Sequence, residues 1–298
     1  MSQTVIKTQV PDQELMSSGH VACPGCGGSL AMRLVLKELG PKTIVALPAC
    51  CWTIVAGPFP QSALGVPVYH TAFETAAATA SGIRAALDVQ GDTETTVVAW
   101  AGDGGTFDIG LQALSGAAER NDNILYVCYD NEAYMNTGIQ RSSATPWGAW
   151  TTTTPTSTPK SHPKKDLLSI MAAHRIPYAA TATVAHPVDL LAKVRRAKTT
   201  FGTRFLHILA PCPPGWKTGD EETIDLARQA VNTRVFPLLE IEDGTRWRFT
   251  VEPTGEPVKD YVKRQGRFRH LTDEMIEHIQ AEVDARWAQL ERRTRGEG

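Results

Sequence analysis

The amino-acid sequence predicts an α/β fold: a mostly parallel sheet with helices on both faces, followed by a C-terminal arm. Two observations carry this. Short runs rich in β-branched residues alternate with segments of helical periodicity over residues 1–219, and the runs close on Gly, Pro, Asp or Asn. From Asp220 onward the alternation fades.

Residues 29–39 set Leu30, Leu34, Val35 and Leu39 at helical spacing, and Gly40-Pro41 stops that helix. A strand over 43–47 ends at Pro48 and runs into Cys50-Cys51, and the Ala-rich stretch 76–87 is helical. Residues 95–101 (TTVVAWA) form a buried strand that ends in Gly102-Asp103-Gly104-Gly105, with a helix over 109–119. The next strand, 123–129, ends at Asp130-Asn131. Helices over 167–173 and 188–198 precede a strand at 204–209, which closes on Pro211-Cys212-Pro213. Residues 151–165 lack an apolar pattern and are rich in proline, so they form a loop. Beyond 220 there remain an extended piece at 246–251 and a terminal helix with Thr272 as N-cap. Ile276, Ile279, Val283, Trp287 and Leu290 share one face of that helix. The expected organisation is a cofactor-binding domain over 1–219 and a C-terminal extension over 220–298 that packs on the domain or on a partner subunit.

Thirty basic and 32 acidic residues leave a net charge of −2, so no global field draws the chain to nucleic acid or to an anionic membrane. Lys164-Lys165 and Arg195-Arg196 are expected on solvated faces. Residues 1–20 mix polar groups with Val5, Ile6 and Val10 and lack the apolar core of a secretory signal. The apolar stretch 44–55 is too short to span a bilayer, so a cytoplasmic location is expected. In a reducing compartment, six cysteines point to metal or redox chemistry before structural disulfides.

Chemistry concentrates after the strands. A glycine-flanked Asp lets backbone N–H groups approach a phosphate, here through Gly102, Gly104 and Gly105. The Asp103 carboxylate can then hold a Mg²⁺ that bridges two phosphates, with Asn131 and the Ala133 carbonyl completing an oxygen-rich site. Asp103 and Asn131 are separated by strand, helix and strand, so adjacent parallel strands bring them together. Cys23-Pro24-Gly25-Cys26 precedes a helix. With Cys212 and either Cys50 or Cys51 it offers four thiolates, which suit zinc as well as an iron–sulfur cluster. Cys128 lies mid-strand and is a buried small hydrophobe.

The GDG…N pattern resembles the motif of thiamine-diphosphate enzymes, and Asp130-Asn131, in place of paired asparagines, resembles their oxidoreductase branch. The run from Tyr134 through Asn136-Thr137-Gly138 resembles the Y-x-N-T-G of 2-oxoacid:ferredoxin oxidoreductases. That likeness places Asn136, as a catalytic residue, and Thr137 near the thiazolium and the substrate. HVACPGCG near the N-terminus, ACCW after the first strand and APCPPGW after a late strand resemble the β subunits of pyruvate:ferredoxin oxidoreductases, and the similarity continues through 262–271. The resemblance implies a thiamine-diphosphate-binding fold and one [4Fe–4S] cluster on Cys23, Cys26, Cys51 and Cys212, with Cys50 at a position usually held by a small residue. Phe73-Glu74-Thr75-Ala76 is similar to the pyruvate type. The implied activity is oxidative decarboxylation of a 2-oxoacid, pyruvate first, to acyl-CoA and CO₂, with electrons passed to the cluster. The implied partners are an α subunit supplying the activating glutamate and substrate contacts, γ/δ-type subunits or ferredoxin as electron acceptors, and coenzyme A. Alternatives are another 2-oxoacid, aryl or branched, with NAD or ferredoxin as acceptor, or a non-redox thiamine-dependent decarboxylase subunit.

Overall fold

A computed structural model describes residues 10–297. Val5 and Ile6, weighed above for a signal segment, lie outside the described residues.

The strands are β1 (Thr43–Pro48), β2 (Val68–Thr71), β3 (Thr96–Gly102), β4 (Leu125–Asp130), β5 (Tyr178–Thr183), β6 (Arg204–Leu209), β7 (Leu239–Glu242) and β8 (Arg246–Phe249). They form an eight-stranded sheet in the order β2-β1-β3-β4-β6-β5-β7-β8. The first six are parallel, and β7 and β8 add an antiparallel hairpin beside β5. The sheet therefore continues past residue 220. Side chains of β3, β4 and β6 are buried almost throughout, as a parallel sheet covered on both faces requires.

The helices are α1 (Gly27–Leu39), α2 (Cys51–Val55), α3 (Ala76–Val89), α4 (Leu111–Glu119), α5 (Leu167–Ala173), α6 (Pro187–Thr199), α7 (Pro213–Trp216), α8 (Thr223–Asn232), α9 (Val258–Val262) and α10 (Asp273–Thr294). Helices α1 and α6 pack together over one apolar core, while α3, α4 and α5 cover the other. On the α1 side Trp100 stacks on Tyr129 at 5.9 Å and meets Trp52 edge-on at 6.1 Å. Such pairs contribute about 0.5–1.5 kcal/mol each beyond their buried area, which stiffens the strands directly beneath the site.

The C-terminal segment packs on its own chain. Thr272 Oγ1 accepts from the Met275 N–H at 3.3 Å, Asp273 and Glu274 occupy the first turn of α10, and Arg292 and Arg293 the last. Ile276, Val283, Trp287 and Leu290 are buried, and Trp287 stacks on Phe249 of β8 at 4.4 Å. No helix among the described residues is long and apolar enough to cross a membrane.

Candidate active site

Neighbouring parallel strands β1, β3, β4 and β6 end close to level, with Gly102 opposite Tyr129 and Asp130 opposite Leu209. Their carboxyl ends deliver Cys50-Cys51, Asp103, Asn131 and Cys212 to one edge of the sheet. In open parallel sheets this is the edge where ligands collect. Three strand spacings, roughly 14 Å, separate the outer two of these strands.

Asp103 leads from β3 into a π-helical turn, Gly104–Ile109. Such turns are rare and concentrate at functional sites. This one requires Gly110, where a Cβ would stand 2.2 Å from the Gly105 carbonyl oxygen. Gly104 is required for a different reason than phosphate access alone. A Cβ there would meet the Tyr134 ring at 2.4 Å, and Tyr134 Oη donates to Asp108 Oδ2 at 2.8 Å.

The Asp103 side chain is fully buried, and Ser142 Oγ donates to its Oδ2 at 2.5 Å. One terminal atom of the Asn131 amide lies 2.9 Å from Asp103 Oδ1 and 3.0 Å from the Ala133 carbonyl oxygen. With nitrogen there, the amide donates to both. With oxygen there, it stands beside two further oxygens, each within 3.0 Å. Adjacent ligands of an octahedral Mg²⁺, at metal–oxygen distances of ~2.0–2.1 Å, stand about 2.9 Å apart. The donor set fits that ion.

Charge favours the same occupant. Burial and the nearby Asp130 carboxylate push the Asp103 carboxyl well up. Burial also works against ionising Asp130, but Lys164 and His207 outweigh it and hold that carboxyl at about 2. His207 Nε2 lies 2.6 Å from Asp130 Oδ2, and Lys164 ion-pairs with both Asp130 and Glu132, the latter at 2.9 Å. Arg267 completes the network at Glu132 Oε2, at 2.5 Å. Asp130 and Glu132 are thus paired by Lys164, His207 and Arg267, whereas Asp103 has no ion-pair partner among the described residues, so a cation beside it would offset its charge.

The expectation of a solvated Lys164-Lys165 pair is therefore corrected. Buried carboxylates must be paired, and Lys164, 15% exposed, pairs two of them. Lys165 donates to the Phe107 carbonyl. Arg195 and Arg196 do remain about half exposed.

Glu132, between Asn131 and Ala133, adopts φ 69°. Left-handed backbone costs a side chain about 1–2 kcal/mol. Hydrogen bonds to charged groups contribute about 1.5–3 kcal/mol each, so the contacts to Lys164 and Arg267 are large enough to hold the turn. Its peptide is fixed as well. The Glu132 N–H donates to Asp130 Oδ1 at 2.9 Å, and Thr145 Oγ1 donates to its carbonyl at 2.7 Å.

A cleft of about 220 Å³ is lined by Gly102, Asp103, Gly104, Gly105, Asn131, Ala133, Asn136 and Thr137, and also by Cys50 and Cys51. Asn136 and Thr137 are exposed on a turn closed by Tyr134 and Gln140, whose N–H and carbonyl groups pair at 2.9 and 3.2 Å.

The cysteine segments meet beside this cleft. Cys26 N–H donates to the Cys23 carbonyl at 3.2 Å, and Gly27 N–H donates to the Pro211 carbonyl at 3.1 Å, docking the knuckle against the segment that carries Cys212. Gly25, at φ 67°, tolerates no side chain, because a Cβ would fall 2.2 Å from the Asp220 carbonyl oxygen. Burial, joined by the neighbouring Cys50, Cys212 and Cys26, pushes the Cys51 thiol up to about 12. Burial, joined by Cys26 and Cys23, does the same to Cys212. Sulfurs in such a setting stay protonated at neutral pH unless a metal displaces the proton. Among the described residues no group of three or more His, Cys, Asp and Glu is placed to hold a single metal ion. Cys50 opens α2, its N–H donating to Thr53 Oγ1 at 3.1 Å, and Cys128 is fully buried in β4.

Sequence reasoning missed Ser142, Lys164, Trp216 and Arg267. Trp216 Nε1 donates to the Asn131 carbonyl at 2.9 Å. Trp216 and Arg267 lie in stretches that carry the family resemblance, but nothing local to any of the four says which site group it meets.

Residues 50–208 match the family model described as thiamine pyrophosphate enzyme, C-terminal TPP binding domain. Ketoisovalerate oxidoreductase subunit VorB of Pyrococcus abyssi is 52% identical over 294 residues, covering 95% of this chain and 94% of that protein. Pyruvate synthase subunit PorB of Methanothermobacter thermautotrophicus is 49% identical over 281 residues, covering 93% and 97%. The chain belongs to the 2-oxoacid:ferredoxin oxidoreductase family of thiamine pyrophosphate enzymes. A solved member, the 2-oxoglutarate:ferredoxin oxidoreductase from Magnetococcus marinus with 2-oxoglutarate, coenzyme A and succinyl-CoA bound, shares the fold. Its TM-score is 0.62 at 20% identity, over 93% of this chain and 97% of that one. Within the family, the matched domain spans β3, β4 and β6 but leaves out the Cys23–Cys26 knuckle, Cys212 and Arg267, which the full-length relatives cover.

Proposed function

We propose that this chain is the β subunit of a 2-oxoacid:ferredoxin-type oxidoreductase. In this reading it grips thiamine diphosphate through Mg²⁺ on Asp103, Asn131 and the Ala133 carbonyl, with Gly102, Gly104 and Gly105 beside the diphosphate. One [4Fe–4S] cluster sits on Cys23, Cys26, Cys51 and Cys212. The observation that carries the reading is the Asn131 amide, one terminal atom of which lies 2.9 Å from the buried Asp103 carboxylate and 3.0 Å from the Ala133 carbonyl, the spacing between adjacent ligands of an octahedral cation.

When bound, thiamine diphosphate supplies the electron sink for decarboxylating a 2-oxoacid, and the cluster takes electrons one at a time. The chain's own residues orient and insulate. Ser142 holds the outer oxygen of Asp103 and so keeps Oδ1 turned to Asn131. Asn136 and Thr137 stand at the open mouth of the cleft, where Asn136 offers an amide to the substrate. Cys51 lines the same cleft, so a cluster held on it would border the cofactor site. The activating glutamate comes from an α subunit, electrons leave to γ/δ-type subunits or ferredoxin, and coenzyme A accepts the acyl group. Six free cysteines suit a reducing cytoplasm.

Similarity to both a ketoisovalerate and a pyruvate enzyme supports a small aliphatic 2-oxoacid as substrate. The complex purified without oxygen is expected to contain iron and acid-labile sulfide in equal amounts, with visible absorption that bleaches when pyruvate or 2-oxoisovalerate is added with coenzyme A. Magnesium alone, or zinc alone, contradicts the reading.

A further inference from the structure

We infer that Arg267, from the C-terminal segment, is a positioning residue that locks the turn bearing Asn131 and Ala133 into its ligating shape. The inference rests on the metal assignment proposed above. It gives a role to a buried ion pair between residues 135 positions apart.

Glu132 lies between Asn131 and Ala133 and is 3% exposed. Its φ of 69° is a conformation that a side chain rarely adopts unaided. This backbone sets the direction in which Asn131 and the Ala133 carbonyl face Asp103. Something must hold it, and the contacts converge from outside the turn. The Arg267 guanidinium donates to Glu132 Oε2 at 2.5 Å, and its Nε donates to Gln265 Oε1 at 2.9 Å. The same guanidinium lies over the Trp216 ring, 4.1 Å from its centroid, while Trp216 Nε1 donates to the Asn131 carbonyl. One side chain therefore grips the residues on both sides of the Asn131–Glu132 peptide, one by charge and one through a stacked indole. Arg267 is itself 2% exposed, and its carbonyl accepts from the Trp150 N–H at 3.0 Å, so it has little freedom to shift. A lysine at this position would keep the charge and lose the planar stacking.

The test uses the complete complex, stripped of thiamine diphosphate, and reads Mg²⁺-dependent cofactor binding by calorimetry, with iron content and melting temperature as separate readouts. Arg267→Met is expected to raise the Mg²⁺ concentration for half-saturation about 10–100-fold, the range seen when outer partners of metal ligands are lost, with iron unchanged. Because Arg267→Met leaves the buried Glu132 carboxylate with Lys164 alone and can fail to fold, the double variant Glu132→Gly/Arg267→Met is measured beside it. It removes both charges and puts a glycine at the positive φ. Its melting temperature is expected to return toward the parent's while its Mg²⁺ requirement stays raised, a split that a merely structural pair would not produce. Parent-like Mg²⁺ dependence in the double variant overturns the inference. Asp103→Ala serves as the control: if it too binds the cofactor like the parent, the metal assignment itself falls.

Discussion

Replacing Asp103 with Ala abolishes Mg²⁺-dependent retention of thiamine diphosphate and leaves the iron in place. Asp103 is the only carboxylate among the three proposed ligands, and it is fully buried. Loss of an outer partner of a metal ligand typically costs 10–100-fold in affinity, so loss of the charged ligand itself exceeds about 100-fold. The apo protein should not suffer correspondingly. Burial and Asp130 already oppose the Asp103 charge, so the substitution removes a group that folding strains to accommodate. Calorimetry on the complex, with iron read from visible absorption, separates the two sites. Retained cofactor would refute the metal assignment.

Cys51→Ala empties the cluster site, whereas Cys50→Ala keeps it. The two sulfurs are adjacent in sequence, and both are partly buried against the same core. They differ in surroundings. Burial raises both thiols; Cys50, Cys212 and Cys26 push Cys51 further up, whereas Tyr129 and the backbone of Trp52, Thr53 and Gly102 pull Cys50 back down. Removing one of four thiolates leaves an iron without a protein ligand, so visible absorption and sulfide should fall to near background in Cys51→Ala. Cys50→Ala disturbs a helix start, for which losses of about 0.5–2 kcal/mol are usual, and should lower the melting temperature with iron intact. The reverse pattern would move the ligand to Cys50.

The two strands carrying the diphosphate motif were legible because their interiors are β-branched or large and apolar, as in Val97, Val98 and Trp100 of β3. β5 (YAATAT) and β2 (VYHT) were not. The first is built of Ala and Thr with Tyr at its start, and the second is a four-residue edge strand with its middle exposed. The sheet supplies their pairing, and nothing local announces it. The helix expected from 109 begins at Leu111, behind a π turn whose only trace is the spacing of Gly104, Gly105 and Gly110. α8 and β7 went unread after Asp220. Helical periodicity found the stripe on α10 but not its target, which is the chain's own β8 through Trp287 and Phe249.

The site divides along the same line. Asp103, Asn131, Cys51 and Cys212 follow strand ends, and strand ends are visible in sequence. Lys164, Trp216 and Arg267 support them from segments 33 or more residues away from Asn131, and side-chain charge alone does not say which carboxylate each will meet. Lys164 shows the consequence, since its basic neighbour suggested a solvated face.

Diffraction at the iron edge, from crystals of the complex grown without oxygen in thiamine diphosphate and Mg²⁺, tests the shared sheet edge most directly. The expected map has one anomalous peak enclosed by Cys23, Cys26, Cys51 and Cys212, with diphosphate density against Asp103 and Asn131. Iron found elsewhere, or a diphosphate bound away from Asp103, would contradict it.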